Sequence, residues 1–174
     1  NNGVVSEASD TKDFTTPGPT PIRWYVRSAA TGSEGGRDSV NAYKTISKAF
    51  SQAIKGDTII ILRGTYNEKI SMTPGLVVGS NYLLDPTDTG AISNTIISAT
   101  GLRGNIITYS NSSWSGPSIR NYFIGLSFKN VSSKVAKLAS FQWGGPAAFT
   151  FDKCIFSNNG EKDITGDNNT DFEQ

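Results

Sequence analysis

The reading of this fold turns on GDTIIILRGTYNEKI, residues 56–70. Four consecutive apolar residues, Ile59 to Leu62, stop at the turn Arg63-Gly64-Thr65-Tyr66, and a second, shorter strand-like segment follows at once. β-Branched residues pack well on a pleated surface and glycine punctuates it, so the stretch reads as strand, corner, strand. The same texture recurs along the rest of the chain in the runs TIIIL, GLVVG, NTIIS, NIITY, YFIGLSF, AAFTF and KCIF, separated by Gly, Asn, Ser and Asp. Asn-Gly, the strongest two-residue hairpin signal, occurs only at Asn2-Gly3 and Asn159-Gly160, so the turns that mark an antiparallel meander are missing.

Upstream of residue 56 the period changes. In NAYKTISKAFSQAIKGD, Ile46, Ala49, Phe50, Ala53 and Ile54 recur at i, i+3, i+4, i+7 and i+8, which predicts a helix over 44–54 with Gly56 as its cap. Lys44, Ser47, Lys48 and Ser51 fall on the opposite face. Before it come a strand candidate at Arg23 to Val26 and a Gly/Ser-rich loop, SAATGSEGGRDS. Residues 1–22, with Pro17, Pro19 and Pro21 and few large apolar side chains, read as a flexible leader, which leaves one domain over 23–174. A chain of this length buries about 68–70% of its unfolded surface, enough for one core.

Internal repetition points to the architecture. LSFKN at 126–130 and CIFSN at 154–158 share an apolar-x-Phe-x-Asn pattern 28 residues apart, and VVGSN at 77–81 resembles both. Asn81, Asn130 and Asn158 thereby fall at the same point after a strand, as expected of a solenoid whose corners carry an Asn bonded along the stack. In that arrangement Leu126, Phe128 and Asn130 point inward, with Cys154, Phe156 and Asn158 above them. The wider interval from 77 to 126 reads as one coil enlarged by an insertion around DPTDTG, with Asp85 and Asp88 starting a turn.

Composition narrows the chemistry. Sixteen Lys and Arg against fifteen Asp and Glu give a formal charge of +1, with no basic runs, so no nucleic-acid footprint is indicated. No apolar stretch reaches the roughly 18–20 residues of a membrane span, and the amino terminus lacks the pattern of a signal peptide, as in a processed secreted form. Histidine is absent, which removes the usual general base near neutral pH and the commonest transition-metal ligand. Ser-His-Asp, Cys-His and zinc chemistry are therefore not expected. The single cysteine, Cys154, forms no internal disulfide and reads as an inert packing residue. Asn111, Asn130 and Asn168 fit the N-glycosylation pattern, which matters only in a eukaryotic secretory pathway.

The run from Trp24 to Asn67, with WYV, the Gly/Ser loop, YKTISKAFSQAIKGDTI and RGTYNEKI, resembles the amino-terminal segment of right-handed parallel β-helix proteins of the pectate-lyase-like superfamily. VVGSNYLLDP, SNTIISATG, NIITYS, FIGLSFKN and KCIFSNNG are similar to the first coils of secreted bacterial repeat proteins, often those exported by Bacteroidetes-type machinery. The likeness covers residues 23–160. It implies an all-β chain, a right-handed parallel β-helix with one amino-terminal capping α-helix, secreted or at the bacterial cell surface, and the amino-terminal part of a longer protein. The capping helix 44–54 is expected to cover the bare end of the first coil, Gly56 and Asp57 to turn the chain into the first strand, and Gly64 and Tyr66 to make the first corner.

The same resemblance implies two functional readings. One is a non-catalytic module for glycan binding or structural assembly. The alternative is the amino-terminal part of a cation-dependent polysaccharide lyase, whose family chemistry abstracts a proton next to a uronate carboxylate with Lys or Arg while calcium neutralises the acid. Arg120, Lys129 and Lys153, with Asp152 nearby, are the catalytic candidates, set against a solvated outer face. Asp167, Asn169 and Asp171, after Asp163, have the D-x-N-x-D spacing of half a calcium loop but lack its later Gly and Glu, so calcium is possible and no cofactor is required. Trp114, Tyr122 and Trp143, with Tyr82 and Phe141, are candidates for stacking on sugar rings, against packing of loops on the fold. A carboxy-terminal strand edge is expected to be covered by further coils, a partner chain or another copy.

Overall fold

A computed structural model describes residues 20–72, 75–102, 106–109, 119–131, 136–138, 147–159, 164–165 and 172–173. Its strands are β1 (Arg23–Val26), β2 (Thr58–Ile61), β3 (Gly64–Asn67), β4 (Ile70–Met72), β5 (Val77–Ser80), β6 (Thr95–Ser98), β7 (Ile107–Tyr109), β8 (Ile119–Ile124), β9 (Ser127–Lys129), β10 (Ala136–Leu138), β11 (Ala147–Asp152), β12 (Ile155–Ser157), β13 (Ile164–Thr165) and β14 (Phe172–Glu173). They form three sheets, in the orders β1-β2-β5-β8-β11-β14, β4-β7-β10-β13 and β3-β6-β9-β12. All strand pairings among the described residues are parallel.

The chain departs from the expected fold class. An all-β, right-handed parallel β-helix with one helix does not describe this chain: among the described residues there are three separate parallel sheets with no closure into a solenoid, and two α-helices, α1 (Ile46–Gln52) and α2 (Gly90–Asn94), with a 3-10 turn at Asn81–Leu83. Each sheet is hydrogen-bonded within itself, because the chain bends between sheets at residues such as Arg63 and Gly125 (φ +64°). The run YFIGLSF is accordingly two strands and not one. The second helix escaped the sequence because GAISN is too short to show a helical period. It belongs to an excursion, residues 81–94, that opens with the Ser80 hydroxyl accepting from Tyr82 N (3.2 Å) and continues through an Asp85–Thr87 turn.

The 28-residue spacing is real in the register. Ile155 lies opposite Ser127, Ala147 opposite Ile119 and Ala136 opposite Ile164, each pair 28 apart in sequence. Like stacks on like: Phe123 on Phe151 (5.1 Å between ring centroids, 12° between planes) and Phe128 on Phe156 (5.4 Å, 15°), while Phe123 and Phe128 meet edge to face. Offset stacks and edge-to-face contacts are the arrangements that the ring quadrupole favours. Leu126 and Phe128 are buried as expected, but Asn130 and Asn158 are exposed and take the left-handed conformation, φ +58° and +55°. At this corner the amide bonded along the stack is the next residue, Asn159, which accepts from Val131 N (3.1 Å) and donates to Phe128 O (3.2 Å). Asn81 follows β5 in a different sheet and is not equivalent to either.

Helix α1 is shorter than the predicted 44–54. Thr45 caps it, accepting from Lys48 N (3.2 Å), and Ala53 ends it, so Ile54 falls off the apolar face and is 44% exposed. Ile46, Ala49 and Phe50 join one core with the strands, and the helix packs against β1, β2 and β4, two of which are edge strands. Gly56 (φ +95°) is not the helix cap but part of the following turn, donating to Gly75 O (2.8 Å). Of the predicted leader, only residues 20–22 are described; there Ile22 N reaches the Asp57 carboxylate (2.7 Å). No helix among the described residues is long and apolar enough to cross a membrane.

Candidate binding cleft

The six-stranded sheet and the sheet that begins with β3 meet at a corner where three short segments lie over one another. Arg27 follows β1 and Leu62-Arg63 follows β2, while Asn81 opens the excursion after β5. The corner is pinned from within by Tyr66, 2% exposed, whose hydroxyl donates to Leu62 O (2.7 Å) and accepts from Ser28 N (3.3 Å). Burial of the ring raises the Tyr66 phenol above its ordinary value, so it stays a neutral donor. Gly64 and Tyr66 thus lie inside β3, and the turn itself is Leu62-Arg63, one step earlier than expected.

The excursion folds back over the outer face of the six-stranded sheet. Ile60 is fully buried there, and a Cβ on Gly79 would come 3.1 Å from Leu83 Cβ, so only glycine lets the excursion lie this close. Between it and the first corner is a cleft of about 420 Å³ lined by Arg27, Leu62, Arg63, Asn81 and Asp88. The Arg63 guanidinium is paired with Asp88, and Asn81 Nδ2 donates to the other Asp88 oxygen (3.2 Å). Leu62 is the apolar element among four polar ones. The cleft therefore offers one small apolar surface, two guanidinium groups, an amide and a carboxylate, a mostly polar lining that supplies both donors and acceptors.

Of these five, the sequence singles out Asn81 as a structural corner residue and places Arg63 and Asp88 in turns, but it marks none of them as a ligand-binding residue. Arg63 and Asp88 are 25 residues apart and share no motif, so only the stacking of corners brings them together. The catalytic candidates are not brought together. Arg120 is exposed on β8, opposite Ala148; Lys129 ends β9 in another sheet, between Ser98 and Ser157; Lys153 is exposed in the turn after β11, φ +51°, next to the exposed Asp152. Among the described residues no group of three His, Cys, Asp or Glu is placed to hold a metal ion. The calcium candidates Asp167, Asn169 and Asp171, with Asp163, lie outside the described residues, as do Trp114, Phe141 and Trp143.

Tyr122 is half-buried on β8 between Val77 and Thr150, and Tyr82 packs over Gly125, where an added Cβ would lie 3.0 Å from the ring's Cδ1. The Tyr82 ring is thereby committed to packing. Cys154 donates to Phe123 O (3.4 Å), and burial pushes its thiol up to about 11, as an inert side chain requires.

One ionised group is fully buried away from the cleft. Asp57 has no exposure and accepts from Ile22 N (2.7 Å), Trp24 Nε1 (2.8 Å) and Ile54 N (3.0 Å). Burial works to raise its carboxyl, but these donors and the Arg37 charge outweigh it and hold the group below its ordinary 3.8. Arg37 sits 4.6 Å above the Trp24 ring, which also stacks on Tyr43. Asn121, at the equivalent register position two strands along the sheet, just inside β8, repeats the device: its Oδ1 accepts from Gly75 N (2.8 Å) and Leu76 N (3.2 Å). These two side chains are structural.

No protein-family model, no curated protein and no solved structure matches this chain.

Proposed function

We propose that this chain is a non-catalytic, glycan-binding module of an extracellular or cell-surface protein, with its ligand held in the corner cleft. The observation that carries the reading is the lining of that cleft. A sugar ring presents an apolar C–H face and a rim of hydroxyls, and Leu62 flanked by Arg27, Arg63, Asn81 and Asp88 offers a partner for each. The scattered placement of Arg120, Lys129 and Lys153 supports binding without turnover, because proton abstraction needs its groups within hydrogen-bond reach of one substrate atom.

A glycan array followed by calorimetry on the positive ligands tests the reading. Binding that weakens in Asn81→Ala is the expected outcome. Appearance of unsaturated sugar products when the protein is incubated with uronate polymers and calcium would overturn the non-catalytic part, and an array without signal would overturn the whole.

A further inference from the structure

We infer that the cleft recognises an anionic group on its ligand, which takes the Arg63 guanidinium in place of Asp88 while Arg27 supplies a second cation. The inference rests on the glycan-binding reading and names the ligand chemistry of that same cleft. Arg27 continues β1 opposite Leu62, the residue just before Arg63, and both arginines line the cleft. Asp88 is the one carboxylate lining the cleft, against two guanidinium groups, which leaves the site net positive. Arg27 takes part in neither of the two ion pairs found among the described residues, which are Lys44–Glu34 and Arg63–Asp88.

The pair with Asp88 is exposed to exchange. The Arg63 side chain is 55% accessible, and an open ion pair of this kind contributes little stability of its own. A guanidinium presents a planar fork that fits a carboxylate or a sulfate ester with two parallel hydrogen bonds, so an incoming oxyanion can replace Asp88 like for like. Arg63 also lies against the start of α2, where a Cβ on Gly90 would come 3.4 Å from its Nη2. Exchange at Arg63 therefore releases Asp88, and with it the excursion, from the first corner, so ligand uptake and loosening of residues 81–94 are coupled.

Calorimetry on the full chain with three trisaccharides decides it: a galactose trimer, its uronate counterpart and its sulfate-ester counterpart. The acidic trimers are expected to bind about tenfold or more tighter than the neutral one, about 1.4 kcal/mol, with the advantage shrinking as salt is raised. Arg27→Gln should abolish the advantage, and Asp88→Asn should strengthen acidic binding by about threefold, because the competing carboxylate is gone. Amide exchange in residues 81–94 should quicken when an acidic trimer is bound. The better of the two acidic trimers identifies whether carboxylate or sulfate is the group read. Equal affinity for the neutral trimer, or an acidic preference that survives Arg27→Gln, overturns the inference and leaves the glycan reading standing. Silence towards all three trimers overturns the inference too, and the array then decides the glycan reading by itself. Should Asp88→Asn perturb folding, Arg27→Gln, at an exposed side chain outside both ion pairs, carries the test.

Discussion

Asp57 shows how a single side chain closes a corner of this chain. It stands just before β2, and its two oxygens take three N–H donors that no strand pairing supplies, from the segment before β1, from the end of the helix region and from an indole. An amide in its place would turn a donor towards those donors, so Asp57→Asn is expected to lower stability by about 2–3 kcal/mol in urea denaturation. The pH dependence follows from the same contacts. Because the folded chain holds this carboxyl below 3.8, its contribution is fully present above that value and is lost as pH falls through the lower folded value. Tryptophan emission followed from pH 5 downward should show an acid limb that Asp57→Asn flattens. The sequence marked Asp57 as the residue that turns the chain into the first strand. It could not reveal that Ile22 and Trp24, more than 30 positions earlier, are the partners that keep the charge buried.

Helix α1 has only seven residues and no acidic residue in its first turn, so its stability has to come from elsewhere. Besides the Thr45 cap, the carboxylate of Glu68, between β3 and β4, accepts from Ile46 N (3.0 Å), Ser47 N (3.1 Å) and Ser47 Oγ (2.8 Å). A carboxylate at this end satisfies orphan N–H groups and complements the helix dipole, and here it is delivered by a strand connection more than 20 residues away. Glu68→Ala should cost about 1 kcal/mol and should speed amide hydrogen exchange at Ile46 and Ser47 before it affects the sheets. Gly125 is the matching case between β8 and β9. With φ +64° and an added Cβ only 3.0 Å from Ser80 Oγ and from Tyr82, Gly125→Ala should destabilise by about 1–3 kcal/mol, measurable as a lower denaturation midpoint. Both anchors are tertiary, which is why periodicity placed the helix yet overran it at each end, and why the run YFIGLSF does not by itself show the break between β8 and β9 at Gly125.

Over the whole molecule the core is a set of columns in which each strand buries its apolar residues over those of the layer before. Phe123 stands at the centre, stacked on Phe151 and edge-on to both Phe128 and Phe149, with no exposure. Phe123→Ala is expected to cost about 3–5 kcal/mol and to lower the urea midpoint of the entire sheet signal in circular dichroism. A loss confined to the carboxy-terminal strands would show instead that the layers unfold independently. Much of this level was legible. The β-branched runs mark β2, β5, β6 and β7, the scarcity of Asn-Gly agrees with the absence of antiparallel pairs among the described residues, and the spacing of LSFKN and CIFSN equals the register offset between β9 and β12. What was not legible is the folding of residues 81–94 into a turn and a second helix over the sheet, and with it the cleft, because neither Arg63 nor Asp88 carries any local mark of the other.

The excursion between β5 and β6 has a practical corollary. β5 and β8 pair in the same parallel sense as β8 and β11, although 45 residues separate Val77 from Tyr122 and 28 separate Tyr122 from Thr150. Chain length at that corner is thus decoupled from alignment of the sheets beneath it, and the corner can be rewritten without editing the scaffold. Foreign peptides spliced in place of the exposed residues 85–87, which leaves Asp88 and its pair with Arg63 intact, should be displayed rather than disruptive, making this position a natural graft point for transplanting recognition loops.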